Sequence, residues 1–224
     1  MPQSSQLLVS IPSGTVSLEG MLEVPRAARG LVVFSHGSGS GRHSPRNQMV
    51  ARALRDAGLG TLLLDLLTPL EDQDYDTRFD IDLLTQRLGD AVGFVRDHAG
   101  TRGLPVGLFG ASTGAASALR VAAARPIDVK AVVARGGRPD LTGDQALSRV
   151  RAATLLIVGG RDYGVIELNQ SAFLLLRSEK NLAIVPGATH LFEEPGALGE
   201  VARLAADWFV HHLASPLSSP PLAR

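Results

Sequence analysis

Residues 105–120 read PVGLFGASTGAASALR, and this stretch decides the fold. Residues 106–109 form a short apolar run typical of a buried strand, and residues 115–120 are Ala-rich and favour a helix. Between them, residues 110–114 spell G-x-S-x-G around Ser112. A strand that turns sharply into a helix through this pentapeptide presents its serine hydroxyl at the end of the strand. The turn needs its glycines because a Cβ on either side would collide with neighbouring chain. Ser112 is therefore a predicted nucleophile; the alternative is a glycine-rich turn with an incidental serine.

The composition excludes several classes of function. The 224 residues carry 22 Lys+Arg and 22 Asp+Glu, so the net charge predicts neither a nucleic-acid partner nor an anionic membrane. There is no Cys, which excludes disulfides and thiolate nucleophiles. Residues 1–14 lack a basic start before a long apolar core, and no apolar run approaches a membrane span. We therefore expect a cytoplasmic protein.

Strand and helix patterns alternate along the chain. Two alternating segments, separated by a Pro-Ser-Gly turn, predict an antiparallel hairpin at residues 7–11 and 16–24. Apolar runs predict strands at residues 31–35, 61–67, 106–109, 129–134, 154–158 and 182–185. Helical patterns lie at residues 48–57, 81–98, 115–124, 165–178 and 199–212, with one or two helical turns near 145–150. The pattern predicts an α/β fold, with a mostly parallel eight-stranded sheet and helices on both faces. We expect a single domain over residues 1–213 and a disordered Pro- and Ser-rich tail at 214–224.

A serine hydroxyl needs a base to take its proton, and His190 is the predicted base. It follows the last predicted strand in the loop PGATHLF, from which an imidazole can reach the strand ends. The other histidines are weaker candidates for the base. His98, His211 and His212 lie near helix C-termini, where a positive charge favours the helix dipole. His36 and His43 precede the serine, whereas the base follows the serine in proteins with this type of turn.

In proteins with a G-x-S-x-G turn of this type, the carboxylate that orients the histidine comes between the serine and the histidine in the chain. We expect it to follow a strand. Asp162 does so directly, after TLLIVGGR, and its carboxylate would hold the imidazole in one tautomer. Asp140 follows the preceding strand and is the alternative, but its Arg-Pro-Asp context is typical of a turn.

Two backbone amides are needed to bind the negative charge that develops on the substrate. We predict that they belong to Thr113, which follows the serine, and to Ser38 in the glycine-rich loop HGSGSG. Arg42 and Arg46 follow this loop and are candidates for holding an anionic substrate group; the alternative is that they are solvated loop charges.

These residues together resemble the α/β-hydrolase superfamily over the whole globular part of the chain. The HGSGSGRHSPRN loop, the LLIVGGRD strand and the GATHLF loop are similar to the dienelactone hydrolase family. The resemblance implies an esterase-like hydrolase with no cofactor and no metal, acting on a small ester or lactone. Dienelactone hydrolases use a Cys nucleophile, whereas this chain has Ser112, so the resemblance implies a serine variant of unknown substrate.

Two other functions are open at this point. A nucleotide-binding module is faintly suggested by the glycine-rich loop and by Asp65 after the next strand, but the spacing is G-x-G-x-G rather than G-x-G-x-x-G. A ligand-binding protein that keeps the fold without turnover is the other alternative. Residues 136–153 are too few for a cap, so we predict no lid domain. The sequence leaves the acyl group, the leaving group and the oligomeric state open.

Overall fold

An eight-stranded sheet runs through the part of the chain that the computed structural model describes, residues 6–213. Its strands are β1 (Gln6–Ser13), β2 (Val16–Glu23), β3 (Leu31–Ser35), β4 (Gly60–Leu64), β5 (Val106–Ala111), β6 (Val129–Arg135), β7 (Ala153–Gly159) and β8 (Lys180–Val185). Their spatial order is β1-β2-β4-β3-β5-β6-β7-β8. At one edge, β2 pairs antiparallel with both β1 and β4. All the other neighbouring pairs in the sheet are parallel. The predicted hairpin and the mostly parallel sheet are confirmed, while the predicted disordered tail at 214–224 lies outside the described residues.

Helices cover both faces of this sheet: α1 (Pro45–Asp56), α2 (Ile81–Asp97), α3 (Thr113–Ala124), α4 (Asp144–Leu147), α5 (Tyr163–Leu175) and α6 (Ala197–Leu213). Successive residues of a buried strand point to opposite faces, so each central strand contributes to two apolar clusters. Val33 packs in the cluster beneath α2 and α3, and its neighbour Phe34 packs in the cluster beneath α1 and α6. Both faces of the central strands are therefore buried, which explains why their sequences are continuously apolar.

Some element boundaries differ from those predicted. α1 begins at Pro45 rather than at residue 48, because Ser44 caps it and Pro suits the first helical position. β4 ends at Leu64 rather than at residue 67, and the amide of Leu66 donates to His36 Nε2 over 2.9 Å. The polar segment after β4, predicted as loop, contains two short 3₁₀ helices, Glu71–Gln73 and Thr77–Phe79.

The connection between β6 and β7 is short, as predicted. It holds a 3₁₀ helix, Pro139–Thr142, and the four-residue α4, so no lid domain is found within residues 6–213. Among the helices described, none is both long and apolar enough to cross a lipid bilayer.

Candidate active site

Ser112 lies at the sharp turn between β5 and α3. Its φ of 51° and ψ of −120° are a strained conformation for a residue with a Cβ. The amide of Ser112 donates to the Arg135 carbonyl at the end of β6, over 3.1 Å. The turn is therefore fixed to the neighbouring strand and presents the serine at the carboxyl edge of the sheet.

The two glycines of the motif are required by space. A Cβ at Gly110 would lie 2.5 Å from the Cα of Ala115, and one at Gly114 would lie 2.5 Å from the carbonyl oxygen of His36. Both neighbours are backbone atoms, which cannot move aside as a flexible side chain would. The turn and the β3 loop thus pack against each other at a distance that only glycine allows.

The structure brings Ser112, His190 and Asp162 together. Asp162 follows β7 at the start of α5, and its Oδ2 lies 2.6 Å from His190 Nδ1. On the other side of the ring, His190 Nε2 lies 3.4 Å from Ser112 Oγ. A proton on Nδ1, held by the carboxylate, leaves Nε2 free to accept the serine proton. The alternative acid, Asp140, instead accepts two hydrogen bonds from Arg138, at 2.7 and 2.9 Å.

The loop that carries His190 is held by contacts that the sequence did not suggest. The amide of Thr189 donates to both carboxylate oxygens of Glu194, at 3.1 Å each, and these bonds hold the pKa of Glu194 below its usual value. Two residues after His190, the buried Phe192 adopts a φ of 56°. Its ring anchors the loop in the apolar cluster beneath α1 and α6.

Ser38 and Thr113 lie in contact at the site, but the Ser38 amide is not free. It donates to Thr113 Oγ1 over 3.1 Å. Thr113 begins α3, where a helix leaves its first amides without intrahelical acceptors. If both amides are to bind an oxyanion, the Thr113 hydroxyl has to rotate away from Ser38.

His36 has a structural explanation. Its Nδ1 lies 3.0 Å from the Gly37 carbonyl and its Nε2 accepts from Leu66, so these bonds require the neutral ring with its proton on Nδ1. Burial lowers the pKa of His36, although the Gly37 bond and the carboxylates of Asp65 and Asp72 oppose the shift.

Arg42 is paired with two acidic residues. Its guanidinium forms ion pairs with Asp65 and, at 2.5 Å, with Glu19, and its amide donates to Asp65 over 2.7 Å. These bonds place two carboxylates against the guanidinium, and anion binding by Arg42 stays a prediction. They also occupy the carboxylate of Asp65 that a nucleotide site would use. Arg46 Nη1 lies 3.5 Å from Glu193 Oε1, its one ion-pair contact among residues 6–213.

A cavity of about 640 Å³ lies beside the glycine-rich loop. Its wall includes Ser38, His36 and Arg42, together with polar residues of β2 and of the segment after β4. Ser112, Asp162 and His190 are not part of this wall. The half-buried Ser112 thus lies outside the wall of this cavity.

Sequence reasoning missed Arg135, the last residue of β6. It is 7% exposed, and burial, together with the nearby charge of Arg46, lowers its pKa to about 10. The signal was present in the sequence, because in VKAVVAR a charged residue directly follows the apolar run of residues 131–134.

A group of possible metal ligands lies away from the serine. Ligand atoms of Glu179, His211 and His212 lie within 4.8 Å of one another. Glu179 precedes β8 and the histidines end α6, so the group sits at the amino end of the strands, opposite the serine.

Comparison with known proteins shows the family and the fold of this chain. A family model described as serine aminopeptidase, S33, matches residues 26–138. The crystal structure of a dienelactone hydrolase from Anabaena variabilis ATCC 29413 superimposes with a TM-score of 0.91. The two sequences are 53% identical, and the match covers 94% of this chain and 99% of the hydrolase. The chain belongs to the dienelactone hydrolase-like family of α/β-hydrolases. Carboxyl esterase 2 from the fungus Tuber melanosporum is similar to this chain in fold, with a TM-score of 0.74. The match has 16% identity and covers 95% of this chain and 89% of the esterase.

Two relatives of this dienelactone hydrolase-like chain come from Mycobacterium tuberculosis, strains CDC 1551 / Oshkosh and ATCC 25618 / H37Rv, and both are named as candidate phosphoribosyl transferases. Each is 56% identical over 93% of this chain. The chain spans about half the length of these curated relatives, with 47% of each covered.

Proposed function

We propose that this chain is a serine hydrolase that cleaves a carboxylic ester or lactone of a small substrate through an acyl-enzyme. The observation that carries the proposal is the continuous contact from Asp162 through His190 to Ser112, at 2.6 and 3.4 Å. The serine–histidine distance is somewhat long for a hydrogen bond, as is common before a substrate is bound. Asp162, His190 and Ser112 are the catalytic triad of this proposal.

In the first half of the reaction, Ser112 Oγ attacks the carbonyl carbon while His190 Nε2 takes the hydroxyl proton. The carbonyl π electrons move to the oxygen and form a tetrahedral oxyanion. The carboxylate of Asp162 stabilises the imidazolium that results. When the carbon–oxygen bond to the leaving group breaks, His190 returns its proton to the departing alcohol.

In the second half, a water molecule attacks the acyl-enzyme and His190 takes a proton from it. The tetrahedral intermediate then collapses, the bond to Ser112 Oγ breaks, and the same proton returns to the serine. The products are the free acid and the restored enzyme, with no net change in protons on the protein. No cofactor or metal ion has a role in these steps.

The oxyanion would be bound by the amides of Thr113 and Ser38. The Ser38 amide is held by Thr113 Oγ1, so substrate binding would exchange one acceptor for a stronger, charged one. We infer that the hydroxyl of Thr113 keeps this amide hydrogen-bonded, and so preoriented, while the site is empty.

Labelling with a fluorophosphonate tests the proposal directly. We expect a single adduct on the peptide that contains Ser112, with complete loss of ester hydrolysis, and no adduct in Ser112→Ala. A panel of p-nitrophenyl esters of increasing acyl length would then define the acyl specificity. Full activity in Ser112→Ala, or an adduct elsewhere, would contradict the proposal.

A ligand-binding protein without turnover is the other function that the fold allows. The contact of His190 with both Ser112 and Asp162 favours the enzyme, because mere binding does not require it. Absence of labelling, together with saturable binding of an ester, would favour the binding protein. The mycobacterial relatives carry a transferase name, but this chain matches only about half of their length. No contact described above favours transferase activity in this chain.

A further inference from the structure

Two histidines and a glutamate converge at the amino end of the sheet, opposite the edge that carries Ser112. One ligand atom from each of Glu179, His211 and His212 lies within 4.8 Å of the other two. Glu179 directly precedes β8, and the two histidines lie in the last turn of α6. The proposed hydrolysis uses none of these side chains, so the cluster is open to a second role.

The first two residues of β7 hold both parts of this cluster in place. The carbonyl of Ala153 accepts the indole N–H of Trp208 in α6 over 3.2 Å. The amide of the next residue, Thr154, donates to the carbonyl of Glu179 over 2.8 Å. The ring of Trp208 packs against the ring of His212, with their centres 4.3 Å apart. The backbone of Glu179 and the imidazole of His212 are therefore positioned by the same strand.

The imidazole of His212 has an unsatisfied nitrogen at the centre of the cluster. Its Nε2 is buried and has no hydrogen-bond partner among residues 6–213. Oε1 of Glu179 lies 3.8 Å from this nitrogen, which is too far for a hydrogen bond. A buried polar atom without a partner destabilises the folded state. A cation between the nitrogen and the carboxylate would bind to both.

The other two ligands are free to adjust around an ion. The side chain of Glu179 is 66% exposed, and His211 is exposed as well. Ligand atoms around a tetrahedral zinc ion lie about 3.3 Å apart, because each bond is about 2.0–2.1 Å long. Rotation of the two exposed side chains can bring the ligand atoms to this spacing. The neighbouring ammonium of Lys180 points elsewhere, since it donates to the carbonyls of Phe173 and Leu176 at 2.6 Å each.

We propose that Glu179, His211 and His212 bind a divalent transition-metal ion, with zinc as the best match, which joins the end of α6 to the start of β8. Two imidazoles and one carboxylate suit zinc, whereas magnesium and calcium prefer oxygen ligands alone. The ion lies at the C-terminus of a 17-residue helix, where the helix dipole favours a positive charge. Three protein ligands leave a fourth position for water. The role of this metal is structural, and it takes no part in the proposed hydrolysis.

Calorimetric titration of the full chain, prepared without a histidine tag and treated with a chelator, tests the site. Zinc chloride should bind saturably at one ion per chain, and magnesium chloride should not bind. We expect Glu179→Gln and His211→Gln each to weaken zinc binding at least about tenfold, because each removes one of three bonds. His98→Gln is the matched control, since this histidine also follows the end of a helix but accepts the Gly100 amide through Nδ1. No zinc binding, wild-type affinity in Glu179→Gln, or an equal loss in His98→Gln would overturn the proposal.

Cobalt(II) is a probe of the coordination geometry at the same site. A tetrahedral cobalt ion absorbs visible light much more strongly than a six-coordinate one, so the spectrum distinguishes the two. We expect strong absorption when cobalt(II) is added to the wild-type chain, its loss on addition of zinc, and a much weaker band in Glu179→Gln. A six-coordinate spectrum, or one that Glu179→Gln leaves unchanged, would contradict the proposed ligand set.

Thermal unfolding tests whether the ion joins the two elements. Zinc at about 100 times its Kd should raise the Tm by about 5–10 °C, because it binds the folded arrangement of α6 and β8. Glu179→Gln should lose most of this shift and His98→Gln should keep it. His212→Gln also removes the packing against Trp208, so the two exposed ligands, Glu179 and His211, provide the decisive variants if His212→Gln does not fold. Zinc binding that leaves the Tm unchanged would overturn the structural role.

Discussion

Asp162 contributes to the proposed reaction through one contact, its 2.6 Å bond to His190 Nδ1. Asp162→Asn keeps the size of the side chain but removes the charge, and it favours the wrong imidazole tautomer. We expect turnover of p-nitrophenyl acetate to fall by about 10⁴-fold, with the circular dichroism spectrum unchanged. Asp140→Asn is the control, because its carboxylate is bound by Arg138, and we expect it to keep most of the activity. A large loss in Asp140→Asn and a small one in Asp162→Asn would reverse the assignment.

His36 should make the folded state sensitive to acid. Burial lowers the pKa of His36 in the folded protein, while in the unfolded chain it titrates near the ordinary histidine value of about 6.5. The unfolded state therefore binds the proton first, and the free energy of unfolding falls as the pH drops below about 6.5. The slope from this one group is at most about 1.4 kcal/mol per pH unit.

Urea denaturation at pH 5 to 7 measures this slope. We expect His36→Gln to flatten it, since glutamine can still accept the Leu66 amide but does not titrate. The exposed His43, changed to Gln, should leave the slope as it is. A wild-type slope in His36→Gln would contradict the expectation.

Arg42 and Arg135 mark the limit of prediction at this scale. Arg42 was selected because it follows a functional loop, but the sequence does not reveal that Asp65 and Glu19 converge on its guanidinium. Arg135 was missed because one charge at the end of an apolar strand is usually taken as its solvent-exposed end. Its pKa of about 10, lowered by burial and by the charge of Arg46, corresponds to a cost of about 3 kcal/mol for holding the charge at this position. Such a cost becomes visible only when the neighbours of the side chain are known.

At the scale of elements, the strand–turn–helix from β5 to α3 is the part that the sequence predicted best. Its glycine spacing and apolar strand are local signals, so they can be recognised without knowing the neighbouring chain. The boundaries of α1 and β4 were predicted less well, because the Ser44 cap and the bond from Leu66 to His36 set them. The second of these contacts joins residues 30 positions apart, which no local pattern records.

Two glycine substitutions test whether the elbow is limited by space. In Gly114→Ala the new Cβ would lie 2.5 Å from the His36 carbonyl oxygen, so the β3 loop must move. We expect a loss of about 1–3 kcal/mol or more in the free energy of unfolding, together with loss of activity. Gly93→Ala in α2 is the matched control, since nothing lies within 4 Å of the new methyl group. It should stabilise the protein by about 0.5–1 kcal/mol, because alanine favours the helix. Urea midpoints of the two variants compare them, and a stable, active Gly114→Ala would contradict the packing argument.

At the scale of the whole molecule, the parallel sheet gathers the proposed site from distant parts of the chain. Ser112, Asp162 and His190 follow β5, β7 and β8, whose carboxyl ends share one edge of the sheet. The chain order Ser–Asp–His, together with the turn context of Asp140, therefore led to the prediction that Ser112, Asp162 and His190 meet. The sequence could not predict the Ser38–Thr113 contact, because it depends on how closely the β3 loop packs against the elbow.

The short connection between β6 and β7 supplies no lid domain, from which we predict a kinetic property of the proposed enzyme. Enzymes with a lid over the serine gain activity when a lipid surface opens the lid, whereas an uncovered serine should respond only to the dissolved substrate. We expect the rate with 4-nitrophenyl butyrate to follow a hyperbola, with no jump where the ester begins to form a separate phase. Rates measured across the solubility limit, with and without detergent micelles, check this. The Ser112→Ala variant gives the background at the interface. A sharp increase above that background would contradict the expectation of an uncovered serine.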